Sequence, residues 1–344
     1  MNLTRDDLDA AVDAGALDAR ARDRLLAFLS ARGEAAVQSR EGGPDNESFR
    51  LLTGFNDIFV SLACILLLVA VGSLVPQMLA PFGIAATSWG LAEYFTRQRR
   101  MALPSIILLL AFVGSIFAGV LVLMQATPFQ LGPGPGFAAP IGLAPAGAAA
   151  VAAAIAHWFR FRVPITMAAG AAGLVALASG VMFRVSSNPS ILLLSMLLGG
   201  LAIFAFAMRY DMKDRERITR NTDIAFWLHL LATPLIVHPI FSLTGLTSQT
   251  PAPGAAIMVM LVYATLTIVA LAIDRRAVLV SALVYVLWAL NGLFAAGQVA
   301  AGFGLTALVL GSFLVILSAA WGGLRRRLLA FLPPAMLPRL PPAG

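Results

Sequence analysis

Charge is scarce in this chain. Only 12% of its residues are charged, against about 25% in an ordinary soluble domain, whereas 59% are hydrophobic. A water-soluble fold of 344 residues cannot hide that much apolar surface. Cysteine is nearly absent too: Cys64 stands alone inside the first apolar run, which excludes an intramolecular disulfide and leaves a small buried apolar side chain. Lysine is reduced to Lys213, every other basic residue being arginine, a bias that points to a GC-rich bacterial source. The first seven residues hold Arg5, Asp6 and Asp7 and no apolar stretch, so no cleavable leader is expected and the first internal helix directs insertion. Motifs of zinc proteases, P-loops and dinucleotide sites are lacking, and no cofactor or metal is expected.

What is there is apolar sequence in blocks. The runs extend over approximately 56–77, 80–96, 102–124, 141–159, 163–183, 189–208, 222–243, 254–273, 277–296 and 304–323. Each matches the ~20 residues that a helix needs to cross a hydrocarbon core of about 30 Å. The sequence therefore predicts an all-α, polytopic transmembrane bundle of about ten helices, with the lipid bilayer as its solvent.

Ten crossings return both termini to one side, and the arginines give an independent test of that. With the N-terminus inside, every basic residue except Arg184 falls in a cytoplasmic segment. The net charge of +7 and the pI near 10.6 would suit a nucleic-acid binder, but the arginines punctuate hydrophobic runs and form no basic face, so no nucleic acid is expected. The outer loops are rich in breakers, as in Gly132-Pro133-Gly134-Pro135-Gly136 and Pro251-Ala252-Pro253-Gly254. The predicted location is a bacterial inner membrane.

Residues 1–46 alone have soluble character, ahead of a membrane domain at 47–324 and a proline-rich cytoplasmic tail at 325–344. Thr4 and Asp7 have capping-box spacing, Gly15 is a stop, and Asp18 can cap a second helix whose Leu25, Leu26, Phe28 and Leu29 form an apolar stripe. This predicts a small cytoplasmic helical hairpin, followed by a linker containing Gly42, Gly43 and Pro44. A hairpin so small has little core of its own, which makes it a candidate docking element for a protein partner.

Ionisable groups in hydrocarbon cost about 2.5–3.5 kcal/mol each on insertion scales and so mark candidate sites. Asp57 and Asp223 lie in first turns, where a carboxylate suits the helix dipole. Glu93 is four residues before Arg97 and Asp274 adjoins Arg275, spacings that predict ion pairs at the interface. The seventh run is the most polar, with His229, Pro234, His238 and Pro239, and its two prolines predict a kinked helix that forms a gate. Nine residues separate the two histidines, about 13.5 Å along a helix and on opposite faces, too far to share one metal.

By depth, His238, Asn291 and Arg184 are predicted to converge on an outward-facing polar pocket that attracts an anion, the alternative being isolated residues that bond between helices. Ala146, Ala150, Ala154 and Ala172, Ala176, Gly180 predict close packing of the fourth and fifth helices. Ala178-Ser179-Gly180 lies at the depth of His238, but Leu177 departs from the glycine of the rhomboid pattern, which leaves no enzyme expected. Arg99-Arg100-Met101 and Arg275-Arg276-Ala277 look alike, either through a direct repeat of helices 1–4 in 7–10 or because every cytoplasmic turn needs arginines.

Ala27-Phe28-Leu29, the entry from Phe49 to Phe59 with Asn56-Asp57-Ile58, and Asp223-Ile224-Ala225-Phe226-Trp227-Leu228-His229-Leu230 resemble uncharacterised bacterial multi-pass membrane proteins of the DUF2157/DUF4401 type. The resemblance covers most of the chain and implies the architecture, with no activity to carry over. Two functions remain in view: a transporter-like protein for a small molecule or lipid component, and a membrane scaffold that recruits a partner through residues 1–46.

Overall fold

The computed structural model describes residues 55–126, 138–186, 188–214, 217, 219–244, 255–280, 282–283, 286–287, 302–334, 337 and 340–341, with 14, 17–18 and 20–24 near the start. The chain divides into two compact units, Met1–Arg50 with Gly344, and Leu51–Ala343. In the first, the Asp18 carbonyl accepts from the amides of Ala21 (2.9 Å) and Arg22 (3.0 Å), and 20–24 are helical. The expected first helix of the hairpin, the linker and the two glycine- and proline-rich outer loops lie outside the described residues.

Every described element of the second unit is a helix. They are α1 (Phe55–Leu74), α2 (Ala80–Ala92, followed by a π-helical turn at Glu93–Gln98), α3 (Ala102–Ala126), α4 (Ala138–Phe161), α5 (Ile165–Ser186), α6 (Pro189–Lys213), α7 (Arg220–Leu243), α8 (Ala255–Ile273) and α9 (Gly302–Phe331). Among the described residues, seven helices are long and apolar enough to cross a membrane: α1, α3, α4, α5, α6, α7 and α9. The second expected span differs because α2 has 13 residues before its hydrogen bonding changes register. In the eighth, α8, the described side chains form an apolar stretch over Leu261–Ile273, and the ninth lies largely outside the described residues.

Polarity is inverted relative to a soluble bundle. On α1 the buried stripe is Asp57, Ser61, Cys64 and Leu68, while Phe59, Leu62, Leu66 and Val69 face outward. A helix that is apolar all round needs an apolar solvent, because a soluble monomer exposes apolar patches of only about 300–600 Å². Closed backbone hydrogen bonding makes helices the element that survives there.

Sequential helices pack through four apolar clusters that run from α1–α3, through α3–α5 and α5–α7, to α7–α9. The tightest approach joins α4 to α5, as the alanine and glycine spacing predicts. A Cβ on Gly147 would lie 2.4 Å from the Leu177 amide nitrogen, and one on Gly180 2.3 Å from that of Ala144. On α6, a Cβ at Gly200 would meet Leu235 and Ile236, the two residues after Pro234 of α7. Both prolines lie within α7, and each removes one amide from its hydrogen-bond ladder.

Three helix ends use charged residues where glycine is usual: Arg100, Arg162 and Asp274, which share φ of 53–55° with Arg217 in the loop before α7. In the register of the apparent repeat Arg100 would match Arg276, yet the left-handed residue of the second turn is Asp274, two places earlier. Asp57 is buried whereas Asp223 is exposed, so the two helix starts differ as well. The Asp223 carboxylate stands in the first turn of α7, but the cap is Thr219, whose hydroxyl accepts from the Asn221 amide at 3.2 Å. Pro333 and Pro334 follow the end of α9 at Phe331, seven residues beyond the expected end of the membrane domain.

Candidate functional site

α6 runs five residues past its apolar stretch and so carries Asp211 in its last turn. A carboxylate there faces the negative end of the helix dipole and needs compensation. Two partners supply it. His229 Nε2 lies 2.8 Å from Asp211 Oδ2, and Arg275 Nη2 donates to Oδ1. Exposure is 4% for Asp211 and 0% for both His229 and Arg275. Three segments, α6, α7 and the turn after α8, are thereby tied at one point.

The ring of His229 stacks edge-on to Phe204, with centroids 5.0 Å apart, and its Nδ1 is buried without a hydrogen-bond partner among the described residues. A proton on Nδ1 would leave a buried donor unpaired, so the geometry suits the neutral tautomer with hydrogen on Nε2. Asp211 and Arg275 then balance each other's charge. Thr233 Oγ1 donates to the His229 carbonyl at 3.0 Å, one turn along and next to Pro234.

A second charge layer surrounds the first. Asp274 does not pair with its neighbour Arg275, as the sequence suggested. It binds Arg217 Nη1 at 3.0 Å, accepts from Trp321 Nε1 at 2.8 Å and lies 3.8 Å from Arg325 Nε. The left-handed Asp274 reverses the chain, so successive side chains diverge: Arg275 enters the bundle, while Arg276 lies over the Trp321 ring at 5.0 Å. Arg217 also donates to the Ile273 and Asp274 carbonyls, at 3.2 and 2.8 Å, and closes the end of α8. Asp214 fastens the loop before α7 by accepting from Thr219 N (2.8 Å), Thr219 Oγ1 (2.6 Å) and Thr222 Oγ1 (2.9 Å).

A separate cluster joins the π-helical turn to α4. Glu93 meets its expected partner Arg97 at 3.3 Å, but the closer one is Arg160, which binds both carboxylate oxygens at 2.6 and 2.8 Å. Hydrogen bonding from Arg160, helped by Arg97, holds the Glu93 carboxyl below the usual glutamate range. A depressed value means that this contribution to stability is whole above the unfolded-state pKa of about 4.3 and is lost as pH falls through the folded one. The melting temperature of Glu93→Gln in detergent should therefore fall below that of the parent at pH 7, and the gap should close below about pH 4.

Of the predicted residues, His229 enters the buried cluster, while Pro234 and Pro239 lie further along the same helix. Arg184 is exposed in the last turn of α5, His238 is half-buried on α7, and Asn291 lies outside the described residues. Ser179 is an interhelical link: its hydroxyl is 2.7 Å from that of Ser195, which donates to the Leu192 carbonyl at 2.9 Å. Asp211, Arg217, Trp321 and Arg325 were missed, although acids set among arginines at 209–220 were the available signal. Among the described residues no group of three His, Cys, Asp or Glu is placed to hold a metal ion.

Apolar helices turned outward around a small number of buried charges define a multi-pass, all-helical membrane protein. No family model, curated protein or solved structure matches the chain.

Proposed function

We propose that the chain is a ten-span protein of the bacterial inner membrane, with both termini cytoplasmic, that moves a small molecule or lipid component. In this reading α7 is the gate, and the Asp211–His229–Arg275 cluster holds its cytoplasmic end. One observation carries it: three almost fully buried ionisable side chains secure a helix whose hydrogen-bond ladder lacks two amides, at Pro234 and Pro239. Ionisable groups retained at such cost mark functional sites, substrate and ion pathways among them. Arg184, His238 and Asn291 would form the outer end of the path.

The test uses purified protein and a panel of amino acids, small organic anions and phosphorylated lipid headgroups. At least one compound should raise the melting temperature and cross proteoliposome membranes with the parent protein. His229→Gln should reduce that flux about tenfold if the lost contact changes the barrier by about 1.4 kcal/mol. No hit in the panel contradicts transport of these compound classes, and flux indifferent to His229→Gln contradicts the gating role of the cluster. Responses unchanged by His238→Ala and Asn291→Ala remove the outer pocket.

The compact unit Met1–Arg50 favours a second reading, a scaffold that recruits a protein partner through residues 1–46. Deletion of 1–46 distinguishes the two: loss of a co-purifying partner with an intact membrane unit favours the scaffold, and retained flux favours the transporter.

A further inference from the structure

α9 ends at Phe331 with Pro333 and Pro334 after it, and Leu340 and Pro341 lie against the bundle. A turn that bonds the Leu340 amide to the Leu337 carbonyl at 3.2 Å brings Leu340 and Pro341 against the helix they have just left. Leu340 is 8% exposed and belongs to the same apolar cluster as Trp321 and Leu329. Arg325, 4% exposed, donates from Nη2 to the Pro341 carbonyl at 2.7 Å. A tail held wholly in solvent would need neither a buried leucine nor a buried guanidinium donating to its main chain.

The same guanidinium lies 3.8 Å from Asp274, and Trp321 donates to that carboxylate. Asp274 is followed directly by Arg275, whose partner is Asp211. A short covalent and ionic path therefore leads from the seated tail, through Arg325 and the 274–276 turn, to the hold on α7.

We infer that the Leu340–Pro341 segment is a latch: seated, it fixes the turn that presents Arg275 to Asp211, and unseated, it releases the end of α7. This rests on the reading that the Asp211–His229–Arg275 cluster restrains α7. The latch confers regulation, because whatever lifts the tail acts on the cluster without touching it.

Hydrogen exchange on the full-length protein in nanodiscs tests this with Leu340→Asp and the milder Leu340→Ala. The latch predicts about tenfold faster exchange in peptides covering 209–222 and 270–278 for Leu340→Asp, a smaller rise for Leu340→Ala, and unchanged exchange in α1–α5. Faster exchange of the tail alone overturns it, as does a uniform rise across the bundle in both variants. Flux is measured separately on the same variants. The exchange pattern without any flux would leave the latch standing and contradict transport, and flux without the exchange pattern would do the reverse.

Discussion

Asp211→Ala should be among the most damaging single substitutions in the chain. It leaves the guanidinium of Arg275 and the Nε2 hydrogen of His229 buried, with their shared acceptor removed. Deleting one partner of a buried ion pair costs about 3–5 kcal/mol, because the other charge stays in a low-dielectric site. A marginally stable domain has only about 5–15 kcal/mol in hand, so the variant should accumulate poorly and melt far below the parent in detergent. Asp211→Asn, which keeps the shape and one acceptor, should fall between the two. If Asp211→Ala melts with the parent, the carboxylate is not compensating a buried charge.

The second large effect concerns close packing of α4 on α5. At Gly147 a side chain would meet the backbone at Leu177 and at the Gly173 carbonyl, and at Gly180 the backbone of Ala144. Backbone cannot rotate aside as a long side chain can, so Gly147→Val or Gly180→Val must separate the helices. Overpacking of this kind costs about 1–3 kcal/mol and more where two elements move apart. Both variants should lower the melting temperature strongly, whereas Gly311→Ala, where nothing lies within 4 Å, should be neutral or slightly stabilising. Equal melting temperatures for the three would mean that the α4–α5 contact is looser than described.

Architecture was legible because the bilayer imposes a length that hydropathy reports directly. α1, α3, α4, α5, α6, α7 and α9 each correspond to an apolar run. α2 departs because its last turn switches to π-helical bonding at Glu93–Gln98, a change that no hydropathy pattern encodes. α7 stood out through its histidines and prolines, and His229 does lie in the buried cluster. Its partners were harder to read. Asp211 became helical only because α6 continues to Lys213, past the point where apolar residues give way to charge. Arg275 was assigned to Asp274 by adjacency, but the left-handed backbone at Asp274 turns the two side chains apart. Contacts made across 64 residues, as between Asp211 and Arg275, follow from how helices pack and leave no local trace.

The buried cluster stands or falls on the charge balance between Asp211 and Arg275. A double-mutant cycle with Asp211→Asn and Arg275→Gln, read by reversible unfolding of the full-length protein in mixed micelles, measures it directly. The double variant should be less destabilised than the sum of the singles by about 2 kcal/mol or more, since removing both charges leaves neither stranded. Effects that add to within about 0.5 kcal/mol would show that the two residues do not act as a pair, and would contradict that balance.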